Sequence, residues 1–350
     1  MNLLIRIKKR ALFLAFLGLA LSSAAQTTDS ITRPDIDTNY IEDYTGWLTT
    51  RIYSLYQNAA FIVSTNEVDN IVFKPNTNIK IGVAAFYKWF GIGLSINNPF
   101  YQLNESTYGK TSSIDLRINA FGRAVAAEVF FQSFKGFYIS SPNAIQNQYY
   151  IVPGMDLFSI GAYGYWIYNP RKFSFRAAFI QNERQVKSAG SLMIRPGISF
   201  VELYSDTGII PGELIYRHKL DHEEIIKRGQ FLSLSLAPGY SYTFIFLKNA
   251  YINAAVFPGV SLISYSYRTK ADLFSRSDVY SRSDFVFQLG LKIAAGYNTK
   301  KWYVGGSIIT SFNDLDASWS NSSFFYDVSQ FRVWGGMRFD VFRKKKKNNT

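Results

Sequence analysis

QFRVWGGMRFDVF, Gln330 to Phe342, is the stretch on which the fold turns. It sets Gln330, Arg332, Arg338 and Asp340 against Phe331, Val333, Met337, Phe339 and Val341. Alternation of this kind is the side-chain period of a strand with one wet and one greasy face. Two structures satisfy it. In a water-soluble sheet the greasy face is core; in a membrane barrel it meets lipid while the polar face surrounds a lumen.

The pattern recurs along the chain. SIDLRINA puts Ser113, Asp115, Arg117 and Asn119 against Ile114, Leu116 and Ile118, and RAVAAEVFF puts Glu128 against Val125, Val129 and Phe131. FQLGLKIAAGY sets Gln288, Lys292 and Gly296 against Phe287, Leu289, Leu291 and Ile293. KFSFRAAFI reads as one more strand, with Phe173, Phe175, Ala177 and Phe179 on lipid and Ser174, Arg176 and Ala178 inside. Charges of both signs at mid-strand are costly in hydrocarbon but can pair across a wet lumen. The lumen-facing polar candidates are therefore Asp115, Arg117, Glu128, Arg176, Glu202, Lys292, Arg332 and Arg338.

Strands are expected at 47–63, 78–87, 89–97, 112–121, 123–138, 155–168, 172–180, 188–203, 230–247, 250–267, 283–297, 301–312 and 327–342. Several exceed the usual 5–6 residues and approach the roughly 9–11 that cross a bilayer at a tilt. Tight turns at Lys88-Trp89, Gly122-Arg123, Asn169 to Arg171, Lys248-Asn249 and Asn298 to Lys300 alternate with longer polar loops. Short turns on one rim and long loops on the other mark an outer-membrane barrel with its short side in the periplasm. That set of strands is odd in number, whereas single-chain bacterial barrels are even. A further strand at 208–217 would give 14; loss of one segment from the wall would give 12. The expected fold is all-β, an antiparallel up-and-down transmembrane β-barrel of 12 to 14 strands spanning 46–342.

The ends fit export. Arg6, Lys8, Lys9 and Arg10 precede an apolar run from Ala11 to Leu21 and small residues at Ser23 and Ala25, the layout of a signal peptide over 1–25, cleaved before Gln26. A polar lead, 26–45, follows and suits a periplasmic segment or a barrel plug. The tail 343–350 opens with the basic run Arg343 to Lys347. The formal charge of +13 shrinks once signal and tail are set aside, since 29 Lys and Arg then face 25 acids, so a nucleic-acid surface is not supported. There is no cysteine, and the fold stands without disulfides. Phe, Tyr and Trp make up 17% of the chain and gather near strand ends, as in the aromatic girdles of membrane barrels.

Chemistry is sparse. The two histidines, His218 and His222, share one polar segment with Asp221, Glu223 and Glu224, where the neighbouring Arg217 and Lys219 would repel a metal ion. No phosphate loop, zinc motif or nucleophile elbow occurs, so no cofactor, metal or catalytic residue is assigned.

FSFRAAFIQNERQVKSAGS, Phe173 to Ser191, resembles the signature segment of the domain of unknown function 4421 family, with further echoes in FKPN (73–76), AFYKWFGIGLSI (85–96), PGYSYTF (238–244) and AAGYNTKKWYVGGS (294–307). The resemblance implies an exported Bacteroidota protein of outer-membrane-barrel type and carries no catalytic residues. A rim polar cluster of Gln181, Asn182, Glu183, Arg184, Gln185, Lys187, Ser188 and Ser191 is either a functional spot or a hairpin ordered by its own hydrogen bonds. The functional expectation is an outer-membrane barrel serving as pore, ligand-binding or surface-structural protein. Its partners would be membrane lipid and the barrel-insertion machinery, with no nucleic acid and the solute left open. A barrel-rim hydrolase using His218 and His222 and a soluble periplasmic β-protein are the alternatives.

Overall fold

The computed structural model describes residues 36–340, apart from 66–70, 77–78, 102–103, 141–148, 211–225, 270–278, 313–315 and 320–321. The wall consists of β2 (Leu48–Thr65), β4 (Ile79–Tyr87), β5 (Phe90–Asn97), β6 (Ser112–Phe121), β7 (Val125–Ile139), β8 (Tyr150–Ile167), β10 (Ala189–Ser205), β11 (Ile226–Phe246), β12 (Ala250–Thr269), β13 (Val279–Asn298), β14 (Trp302–Phe312) and β16 (Ser322–Phe339). Each pairs antiparallel with the next, and β16 pairs back onto β2, closing a barrel of 12 strands. Two short strands stand outside that ring: β3 (Ile71–Lys74), between β2 and β7, and β15 (Asp316–Trp319), on β16. A separate two-stranded ribbon joins β1 (Ile41–Asp43) to β9 (Glu183–Gln185).

One expected strand is absent from the wall, and its loss restores even parity. Lys172–Ile180 is not a lipid-facing strand: Phe175–Phe179 forms a short helix capped by Ser174, whose Oγ accepts from the Ala177 N–H at 3.1 Å. The run F-S-F-R-A-A-F fits both periods, because Phe175 and Phe179 stand four apart and meet on one helix face with ring centres 4.8 Å apart. All of this helix is buried. Of the proposed strand at 208–217, residues 211–217 lie outside the described residues, and the barrel closes without it.

The strands are staggered. A hydrogen-bonded row that starts at Thr49 runs through Phe86, Gly91, Asn119, Glu128, Tyr163, Gly197, Ser235, Ser261 and Val286. The registers of β13 with β14 and β14 with β16 then return it to β2 near Val63. That stagger in a barrel of this size tilts the strands by about 35–45° and lifts each successive strand.

Allowing for the tilt, the outer face changes from apolar to polar along the barrel axis while the inner face loses its charges. Nearer the short turns the outside is apolar, with Leu94, Ile194, Val256, Ile308 and Val333 all exposed, while the inside sets Arg195, Lys292 and Gln330 among a packed apolar cluster that includes Leu55, Phe86, Tyr165, Phe257 and Trp334. Toward the long loops the inside is a packed apolar cluster that includes Phe61, Phe73, Phe137, Leu203, Phe231, Ile263 and Tyr265. There the outside is polar: Gln230 donates to Glu202 at 2.7 Å, and Ser264 and Ser283 share a bond of 2.8 Å. Exposed Trp89, Phe90, Trp166, Tyr168, Phe246 and Trp302 sit at the short-turn end of the apolar belt, and Phe100, Tyr101, Phe285 and Phe287 at its other edge. A greasy ring bounded by aromatic residues is a membrane-spanning surface. No solvated sheet would leave so continuous a patch bare.

The hairpin of β5 and β6 is shorter than its neighbours, and β7 changes partner above it. Ser112 to Phe121 of β6 pair with β7 as far as Lys135, whereas Tyr138 and Ile139 pair with β3. The register slips between Lys135 and Phe137, at Gly136. Gly136 has φ +85°, and a Cβ there would stand 2.2 Å from the Lys110 carbonyl oxygen, so the switch needs glycine.

Candidate functional site: a cationic chamber above an internal plug

The connection from β8 to β10 turns into the barrel instead of crossing its rim. Together with the segment that contains β1, it forms a plug under the short-turn end. Glu183, fully buried, is its hub: Oε1 lies 3.1 Å from Arg176 Nη1 and 3.0 Å from Arg123 Nη2, Oε2 accepts from Ser174 Oγ at 2.6 Å, and the backbone oxygen accepts from Asn298 Nδ2 at 3.0 Å. Arg176 also donates to the carbonyls of Lys88 and Phe121, tying the plug to two of the tight turns. Arg338 donates to the Gln181 carbonyl, to Asn298 Oδ1 at 2.6 Å and to the carbonyls of Thr299 and Lys300. The Gln181 side chain donates to Tyr251 Oη at 3.0 Å and accepts from Trp334 Nε1. Gln181 has φ +61°, a left-handed conformation held by these bonds.

The outer edge of the plug is an ion pair. Arg184 reaches Glu42 at 2.6 Å and Asn249 at 2.6 Å, and Tyr44 donates to Glu42. Burial alone would push the Glu42 carboxyl up, but the hydrogen bonds from Tyr44 and Arg184 outweigh it and hold the group below the usual glutamate range. Burial and the bond to Glu42 push the Tyr44 hydroxyl up to about 12.

Above the plug the barrel holds a cavity of about 120 Å³, lined by Arg51, Arg117, Arg195, Lys292 and Arg332 and by the single carboxylate Glu128. Pro196 and Gly197 follow Arg195 on β10, whose odd positions face inward; β13 and β16 present Lys292 and Arg332 on their even ones. The stagger brings these residues to nearly one level. Some charges are matched. Lys292 Nζ lies 2.6 Å from Glu128, which also accepts from Tyr165 Oη at 2.9 Å; Arg117 pairs with Asp115 at 3.0 Å and donates to Gln330 at 2.9 Å. The others are not. Arg51 gives one hydrogen bond, to the Phe179 carbonyl at 2.8 Å, and its Nε has none. Among the described residues nothing accepts from Arg195 Nε or Nη2, or from Arg332 Nε or Nη2. Rings hold these planes instead: Tyr163 and Phe257 at 5.1 and 5.0 Å from Arg195, Tyr53 at 5.0 Å from Arg332. The apolar cluster roofs the chamber over β2, β3, β7, β8 and β10–β12, while along β14 the lining continues through Ser307, Ile309 and Ser311 toward the long loops.

The sequence-derived candidates divide by place. Asp115, Arg117, Glu128, Lys292 and Arg332 lie in or beside the chamber; Arg176 and Arg338 lie in or against the plug. Glu202 is corrected: its neighbours Val201 and Leu203 are buried in the apolar cluster, so Glu202 faces outward. It lies above the level at which the outer face turns polar, where an acid belongs outside. In the rim cluster Gln181, Asn182, Glu183, Gln185 and Ser191 are buried, Arg184 and Ser188 half-buried and Lys187 exposed. Asn182 donates to the Lys88 carbonyl, Gln185 to those of Tyr40, Lys172 and Lys187, Lys187 stacks on Tyr40, Ser188 Oγ accepts from Ile245 N, and Ser191 Oγ from Asn169 N. His218 and His222 lie outside the described residues. Sequence reasoning missed Arg51 and Arg195, although SLMIRPGISF alternates as plainly as the stretches that were read.

Residues 35–339 match the model of the family described as Domain of unknown function (DUF4421). The chain belongs to that family. No curated protein sequence matches this DUF4421 chain. Among solved structures it overlaps the toluene transporter TodX of P. putida (8% identity, 84% of this chain and 90% of that one, TM-score 0.29) and OmpT of Vibrio cholerae (6%, 83% and 98%, 0.29). It also overlaps Ail of Yersinia pestis (9%, 84% and 99%, 0.19). Scores this low carry no further inference, and the barrel's own geometry carries the reading.

Proposed function

We propose that this protein is an outer-membrane barrel that binds a solute in its lumen and is closed on the periplasmic side, and is not an open diffusion pore. The plug carries this reading. Its hydrogen bonds run from Glu183, Arg176, Arg184 and Arg338 to most of the tight turns, so the short-turn rim is bridged by ordered chain. Export through the signal peptide over 1–25 would deliver the chain to the periplasm, where the barrel-insertion machinery would meet it. The chamber, whose lining includes Ser307, Ile309 and Ser311 of β14, is the space left for a ligand.

Planar-bilayer recording tests the closure. Wild-type protein should give no steady conductance, and the Arg338→Ala variant, which loses the bonds to Gln181, Asn298, Thr299 and Lys300, should open intermittently. A steady, nanosiemens-scale wild-type current would overturn the closed-barrel reading.

A further inference from the structure

We propose that the chamber is a binding site for a small, multiply charged oxyanion of the phosphate class, held chiefly by Arg51, Arg195 and Arg332. The inference deepens the ligand-binding reading above and rests on it.

The charge balance points to an anion. Five cations line the cavity, while Glu128 and the Asp115 carboxylate beside Arg117 are the acids placed against them. Lys292 is matched to Glu128 and Arg117 to Asp115, which leaves the three remaining arginines without a carboxylate. An unpaired charge away from bulk water is strongly disfavoured, and arginine cannot escape by losing its proton. Arg195 is 3% exposed and Arg51 6%, so neither reaches solvent in the ordinary way.

The number of unmatched charges points to a polyvalent anion. Nε and Nη2 of Arg195 and Arg332 are buried without an acceptor among the described residues, with Arg195 packed against Gly290, so what these arginines give the cavity wall is uncompensated guanidinium charge. Their planes are already fixed by Tyr163, Phe257 and Tyr53, so little side-chain freedom remains to be lost when an anion arrives. A single chloride ion would offset one of the three unmatched charges. A phosphate-like dianion offsets two, and the cavity of about 120 Å³ has room for it with some water.

Thermal unfolding and calorimetry of the folded, detergent-solubilised full chain decide the matter. Inorganic phosphate at about 10 mM should raise the unfolding temperature, by mass action on the folded state, and chloride at matched ionic strength should not. Arg195→Gln and Arg332→Gln should each weaken phosphate binding by about tenfold or more, the usual cost of a lost charge-assisted bond. Lys301→Gln, on an exposed tight turn, should leave it unchanged. Absence of any phosphate-dependent shift in wild type, an equal shift with chloride, or affinity indifferent to both arginine substitutions would overturn the proposal. The wild-type salt series needs no substituted chain to fold. Conductance and anion binding are read separately, so a wild type that conducts yet binds phosphate removes the closure and leaves the site.

Discussion

Replacing Glu183 by Gln removes one charge from the centre of the plug and keeps its shape. In the native arrangement the carboxylate neutralises Arg176 and Arg123 and accepts from Ser174 with no exposure to solvent. Removing one partner of a buried pair generally costs about 3–5 kcal/mol, because the other charge is left behind. Here Arg176 keeps its bonds to the Lys88 and Phe121 carbonyls, and the new amide can still accept, so the lower end, about 3 kcal/mol, applies. The wall ladder does not pass through Glu183. The loss therefore falls on the plug and shifts its closed-to-open ratio by about a hundredfold. Single-channel recording should show open probability rising by that order, while the heat-modifiable band of the folded barrel stays in place on gels. A Glu183→Gln barrel that folds and remains as silent as wild type would refute this reasoning, since the plug would then be held without its central charge pair.

Three further outcomes are expected. Because Glu42 titrates below its unfolded range, its contribution is complete above that range and is lost as pH falls through the folded value; hydrogen exchange in β1 and β9, corrected for intrinsic rate, should rise selectively in acid. Gly136→Ala should cost about 1–3 kcal/mol through its positive φ alone, with further strain against the Lys110 carbonyl, and should lower the urea midpoint of the folded barrel. Leu94→Lys places a cation on the outward apolar belt and should destabilise the barrel in lipid vesicles by about 2–4 kcal/mol, while Leu247→Lys in the exposed turn before Lys248 should cost far less.

The barrel was legible because lipid and lumen impose period two on the wall strands, and stretches such as Gln330 to Phe339 obey it at the positions read. Two features were not legible, for different reasons. Phe173 to Phe179 supports a strand or a helix equally, and what decides is Glu183, which lies beyond the stretch and draws Ser174 and Arg176 inward. Glu202 went wrong because one polarity was assumed for the whole length of β10. The inward face changes from Arg195 to Val201 and Leu203 within the same strand, and only the stagger of neighbouring strands shows that this occurs where the barrel leaves the hydrocarbon. The plug residues were noticed as a polar run, but their partners, Lys88, Phe121, Asn249, Asn298 and Arg338, are scattered over distant turns.

The change of the outer face from apolar to polar also fixes how deep the protein rides. Sinking it would drag Glu202, Gln230 and Ser264 into acyl chains, and raising it would strip lipid from Leu234 and Val260. Either displacement is penalised at once, so vertical sliding is closed to this molecule as a response to a thicker or thinner bilayer. The lipids must do the adjusting, stretching or compressing around a draught line set by the chain.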